Sequence, residues 1–282
     1  MIRTKYFNIL STIIAGIGLI FTGCATRTYY VSPLYGSSNS YRTLPMKTDG
    51  AKSQLYVNGA FTMGSTNEDN RDQFYNLQGN VYNAHQFGAF KAWYGGGITL
   101  GNYRIKKFDS AAYNPLFDSA YINNNAGNKS FGSANLNAGV VVTIPISNQT
   151  EWRILGVSAS LQNEFGKYLS FRQNIKNNNI EVTGIAPNSL LGTVGLSSEL
   201  AFGFTEGSFC IQAQANYLLG KNYKDIYHDT NPGASVKRYA YLSGNAALTV
   251  RDITGFAQIN IGERMMNFQT GINYRISKKS KK

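Results

Sequence analysis

Ala134-Asn135-Leu136-Asn137-Ala138-Gly139-Val140-Val141-Val142-Thr143-Ile144-Pro145-Ile146 is the stretch whose reading decides the fold. Leu136, Ala138, Val140, Val142, Ile144 and Ile146 fall on one phase of a period-2 alternation, and Asn135, Asn137, Gly139 and Thr143 on the other. Successive strand side chains point to opposite faces, so this is a strand with one apolar and one polar face. Residues 209–219 repeat it, with Phe209, Ile211, Ala213, Ala215, Tyr217 and Leu219 set against Cys210, Gln212, Gln214 and Asn216. Residues 266–276 do so again, alternating Met266, Phe268, Ile272, Tyr274 and Ile276 with Asn267, Gln269, Gly271, Asn273 and Arg275. Further alternating runs cover 54–63, 74–82, 87–104, 153–163, 192–205, 239–250 and 255–262, which makes ten strands in all.

The connections sort by length. Residues 83–86, 147–150, 206–207 and 251–254 read as tight turns, whereas 64–73, 106–130, 165–190 and 220–237 are long and polar, with Glu263-Arg264 a short exception. Short turns at one end and long loops at the other are the layout of a transmembrane barrel. An even strand number places both ends of the sheet on the short-turn side.

Composition separates a barrel in lipid from one in water. Of the 282 residues only 15% are charged, whereas Gly (29), Tyr (19) and Phe (16) are abundant and 43% are hydrophobic. An ordinary soluble domain carries about 25% charged residues. The polar strand faces hold Asn, Gln, Ser and Gly, with an occasional charge such as Lys91, Arg153, Glu199 or Arg275. Compact hydrogen-bonding groups suit a confined interior, where an unpaired charge is costly. Closure removes the sheet edges that hydrocarbon does not tolerate. Trp93, Trp152, Tyr217, Tyr241 and Tyr274 lie near strand ends, where aromatic girdles form. The fold class is therefore all-β: a closed antiparallel up-and-down transmembrane β-barrel of about ten strands, with eight or twelve as neighbouring solutions. Ten strands enclose an interior little wider than that of an eight-stranded barrel, which side chains fill. That width excludes a general porin. Disorder and a disulfide scaffold are excluded by the hydrophobic fraction and by the two cysteines.

Residues 1–23 read as a signal peptide. Arg3 and Lys5 precede an apolar stretch, 9–21, too short to span a bilayer. The stretch ends in Phe21-Thr22-Gly23-Cys24, which resembles the lipobox of bacterial lipoproteins, with Phe21 in place of the usual Leu. That resemblance implies lipidation of Cys24 as the first mature residue. Ala25-Thr26-Arg27 lack an early acid, which by the same resemblance implies an outer-membrane lipoprotein with its N-terminus on the periplasmic face. Residues 24–52 read as the lipidated N-terminus and an extended linker, 53–276 as the barrel and 277–282 as a basic tail. The formal charge of +12 loses Arg3 and Lys5 with the signal peptide, and Lys278, Lys279, Lys281 and Lys282 sit in the tail. The barrel is only mildly basic, its basic residues are scattered, and a nucleic-acid partner is not expected.

The Pro-containing spacer with Leu44-Pro45-Met46, then Leu55-Tyr56-Val57-Asn58-Gly59-Ala60 and Leu77-Gln78-Gly79-Asn80-Val81-Tyr82-Asn83-Ala84-His85, resembles the small outer-membrane β-barrel lipoproteins of the Bacteroidetes lineage. The resemblance implies fold and location and assigns no activity.

Chemistry-bearing residues are sparse. His85 falls in an expected tight turn, in a turn or hydrogen-bonding role; His228, in Tyr227-His228-Asp229-Thr230, falls in a long loop. Outer-membrane proteases of the omptin type use His and Asp on such loops to activate water, and Glu68-Asp69 lies in another loop. No wider omptin motif is present. Two histidines and the lone thiol of Cys210 do not make a metal-ligand set. Asn123-Asn124-Asn125 and Asn177-Asn178-Asn179 read as solvated loop, and the lysine tail as a solubilising end or a contact for anionic head groups. The expectation is a monomeric barrel with no catalytic residues, no metal and no cofactor. Its partners are outer-membrane lipids and an extracellular ligand at the long loops; a narrow channel for small solutes is the alternative, with an omptin-like loop protease behind it.

Overall fold

A computed structural model describes residues 29–37, 39–46, 53–67, 72–107, 119–180, 182, 184–219, 224–225, 240–262 and 265–276. Ten strands carry the fold: β1 (Ser53–Thr66), β2 (Asp72–Phe87), β3 (Phe90–Ile105), β4 (Gly127–Pro145), β5 (Thr150–Phe165), β6 (Leu190–Phe204), β7 (Gly207–Leu219), β8 (Ala240–Val250), β9 (Ile253–Gly262) and β10 (Met265–Ile276). Each pairs antiparallel with its sequence neighbour, and β10 returns to β1, from Met265↔Thr66 to Ile276↔Leu55, so the barrel is closed.

The alternation resolves into an outer and an inner face. Leu136, Leu77, Leu242, Ile98 and Ile272 stand outward and exposed, Leu136 at 68% of its free surface. Leaving such a side chain in water forgoes about 1.5–3 kcal/mol. A continuous belt of them is stable only against an apolar medium, the hydrocarbon of a membrane. Inward stand Asn58, Asn80, Asn135, Gln162, Asn260, Gln269 and Asn273, all buried. A bulge in β5 opposite β6, between Arg153 and Gly156, turns Ile154 and Leu155 outward together, and the alternation continues in the opposite phase beyond it.

Four tight turns, together with Ser53 and Ile276, mark one end of the barrel, the turn end. The other is the loop end. There helix α1 (Ser119–Asn124) and helix α2 (Lys167–Asn177) fill the long connections. Gly166, at φ +112°, starts α2 where a Cβ would meet the Ser130 carbonyl oxygen at 2.7 Å. Buried Tyr168, Phe171 and Ile175 on α2 share one cluster with Tyr103 and Ile105 of β3, and the Tyr103 and Tyr168 rings stack 3.9 Å apart. Burial alone lowers the Arg172 guanidinium; the Glu164 carboxylate overrides this and holds it above its ordinary value.

Three expectations change. The turn placed at 83–86 lies at Gly88-Ala89, because β2 runs on to Phe87 and Gly88 takes the left-handed φ of +61° that the reversal needs. Trp93 and Tyr241, expected in an aromatic girdle, point inward and are buried, while Trp152 and Tyr274 do face out. The third is the largest. The described part of the supposed linker, Tyr29 to Met46, is buried throughout and runs inside the barrel.

Candidate functional site

The lumen is the candidate site, and the described residues of the N-terminal segment, Tyr29 to Met46, run through it. At the loop end Tyr29-Tyr30 pair in parallel with Gly184-Ile185, and the Tyr29 N–H donates to Asn67 Oδ1 at 2.7 Å. The α2 hydroxyl of Tyr168 donates to the Val31 carbonyl at 3.1 Å. Tyr29, Tyr30, Val31, Leu34 and Tyr35 form one apolar cluster with Phe74, Tyr103, Phe131, Leu191 and Met265, all at loop-end positions of their strands. A single 3-10 turn follows at Pro33–Tyr35, capped by the Ser32 side chain, whose Oγ accepts from the Leu34 N–H. Gly36 then passes so close to the wall that a Cβ there would lie 2.6 Å from Asn267 Nδ2 and 2.8 Å from Met265 Sδ.

From Ser37 onward the wall grips the backbone of the segment. Gln78 Nε2 donates to the Ser37 carbonyl at 2.6 Å and Gln258 Nε2 to the Asn39 carbonyl at 2.9 Å. Asn273 Nδ2 donates to the Tyr41 carbonyl at 3.5 Å, the Tyr82 hydroxyl to the Thr43 carbonyl at 3.1 Å, and Arg153 Nη2 to the Leu44 carbonyl at 3.1 Å. Each such bond contributes about 1 kcal/mol net. They also satisfy carbonyls that would otherwise be buried without a partner. Side chains of the segment reach back: Asn39 Nδ2 donates to Asn216 Oδ1, Ser40 Oγ to Asn58 Oδ1, and the Tyr41 hydroxyl to Glu199 Oε1. The Arg42 guanidinium lies 4.4 Å over the Trp93 ring, and interior Gly139 leaves room for that indole, 2.7 Å from where its Cβ would stand. Met46 ends the passage beside Gly203 at the turn end.

A buried charge cluster sits in the turn-end half of the lumen. Lys91 and Arg153 both pair with Glu151, and Arg153 Nη1 reaches Glu199 Oε1 at 2.6 Å, all four side chains almost fully buried. Two cations face two carboxylates, so the cluster is neutral, and Tyr41 and Gln212 supply further donors to Glu199. Below it a vestibule of about 500 Å³ opens at the turn end, lined in part by Thr43, Met46, Glu206, Arg251 and Arg275.

Lys91, Arg153 and Glu199, which the sequence shows only as scattered charges on polar faces, are thus brought together; Arg275 instead pairs with Asp252 at the rim, 2.7 Å away. His85 is not in a turn. It lies on β2 and stacks against Phe87 and Tyr94, with centroids 5.8 and 5.6 Å away. Cys24, Glu68-Asp69, His228 and the lysine tail lie outside the described residues. Asn123 and Asn124 end α1, and Asn177 to Asn179 close α2. Among the described residues no group of three or more His, Cys, Asp and Glu side chains is placed to hold a metal ion. The sequence of residues 29–46 carries no periodic pattern that marks their place in the lumen. The signal was present in Tyr29, Tyr30, Tyr35 and Tyr41, an aromatic density that a solvated linker does not need.

No protein-family model matches the chain, and no curated protein matches its sequence. Among solved structures it is similar to Neisserial surface protein A (9% identity, TM-score 0.33, over 79% of this chain and 97% of that one). It is also similar to the beta domain of the Bordetella autotransporter BrkA (8%, TM-score 0.39, over 79% and 99%). A third is a variant of the monoaromatic hydrocarbon channel TodX (6%, TM-score 0.34, over 90% and 96%). At such identities and TM-scores the likenesses carry no argument about role, and the fold rests on the hydrogen-bonded strands themselves.

Proposed function

We propose that the chain is a lipid-anchored protein of the outer membrane of a Gram-negative bacterium, a monomeric barrel with a structural or surface-interaction role and no catalytic activity. The observation that carries this reading is the filled lumen. A segment is held inside the barrel at the carbonyls of Ser37, Asn39, Tyr41, Thr43 and Leu44, and at the side chains of Asn39, Ser40 and Tyr41. This weighs against the narrow channel, which needs a continuous lumen. The belt of outward Leu, Ile and Phe meets the membrane lipids. The loop end, built on α1 and α2, is the surface offered to an extracellular ligand.

The test is electrical. Purified full-length protein inserted in planar bilayers is expected to give no discrete conductance steps. Stable unitary steps at moderate voltage would refute the filled-lumen reading and favour the channel.

A further inference from the structure

We propose that this barrel displays its own N-terminus: the chain ahead of Tyr29 leaves through the loop-end mouth, and the lipid on Cys24 is anchored in the leaflet on that side. The anchor half rests on the lipobox reading of Cys24; the threading half rests on the lumen itself.

The direction of travel is set by contacts at both ends. Tyr29 is tied to Asn67 in the β1–β2 connection and to Gly184 in the β5–β6 connection, both at the loop end. Leu44 and Met46 are tied to Arg153 and Gly203 toward the turn end. The segment therefore enters the lumen from the loop side, descends, and turns back up as β1 from Ser53. Sheet and segment together place Tyr29 on the side opposite Ile276.

Chain length does the rest. Cys24 precedes Tyr29 by five residues, a reach of at most about 18 Å even when fully extended. The 14 residues of β1, tilted as barrel strands are, rise about 35 Å. Cys24 cannot return to the turn-side leaflet along the outside of the barrel, and the lumen is already taken by residues 29–46. With long loops facing outward, as in transmembrane barrels generally, the anchor is on the cell surface and not on the periplasmic face that the residues after Cys24 imply.

A short epitope placed between Arg27 and Thr28, and another after Lys282, report the two sides in intact and permeabilised cells. Threading predicts equal antibody signal from the first epitope before and after permeabilisation, and signal from the second only after it. Protection of the first epitope in intact cells overturns the proposal. Thr28→Cys, probed with a membrane-impermeant maleimide, repeats the measurement without an inserted sequence. Incorporation of an alkyne fatty acid, compared with Cys24→Ala, reports the anchor independently. A surface-exposed but unacylated N-terminus supports the threading and overturns the anchor.

Discussion

Arg153→Met cuts the lumen at its most connected point. The guanidinium lies against Glu151 Oε1 at 2.8 Å and Glu199 Oε1 at 2.6 Å, and donates to the Leu44 carbonyl at 3.1 Å. Methionine keeps much of the volume and removes the charge. Two carboxylates then share the single cation of Lys91 at a site closed to water. Removing one partner of a buried pair costs about 3–5 kcal/mol, most of it the desolvation of the charge left behind. The lost bond to Leu44 adds about 1 kcal/mol and frees the segment near its turn-side end. Urea unfolding in lipid vesicles measures this through the fluorescence of Trp93, which lies under Arg42, and Trp152. Adding Glu199→Gln to Arg153→Met removes the stranded charge and is expected to restore about half of the loss. A loss below about 1 kcal/mol for Arg153→Met, the range of solvated surface pairs, would refute the view that the cluster is dry.

Gly36→Val forces a branched side chain into the space of Asn267 and Met265, and is expected to destabilise by about 1–3 kcal/mol in the same unfolding assay. Leu136→Arg, on the outer face of β4, is expected to cost about 2–4 kcal/mol in vesicles if it lies near the bilayer midplane; unchanged folding into lipid would contradict the membrane-facing belt. Removal of residues 29–46 with the signal peptide retained is expected to convert a silent barrel into one with discrete conductance steps, read in planar bilayers.

Much of this architecture was legible in the sequence. Period-2 alternation identifies all ten barrel strands because each has one face in hydrocarbon and one in a polar lumen, a contrast that every second residue records. Boundaries were less legible. Asn83 to Gln86 have the small polar look of a turn, yet Ala84 continues the buried inner face of β2, and the reversal waits for Gly88. The aromatic rings near strand ends divide between girdle and lumen. Trp93 turned inward because Gly139 opposite it leaves room and Arg42 covers its ring. Helix α2 lies in a stretch that reads as a polar loop, although Tyr168, Phe171, Arg172 and Ile175 recur at the spacing of one helical face.

Residues 29–46 resemble a linker for a physical reason. A segment held through its backbone carbonyls needs no periodic side-chain pattern of its own, so it looks like a linker. The complementary signal lies in the wall, where Gln78 and Tyr82 of β2, Gln258 of β9 and Asn273 of β10 come from three strands, the first far from the other two in sequence. No local reading brings such residues together.

Occupation of the lumen is tested most directly by replacing Tyr41 with photoreactive benzoylphenylalanine in the full-length, membrane-inserted protein. Tyr41 lies against Glu199, Cys210 and Phe256. Irradiation is expected to give intramolecular cross-links to the peptides carrying those residues, identified by mass spectrometry. Cross-links to lipid or to other proteins, with none to the barrel wall, would contradict the account.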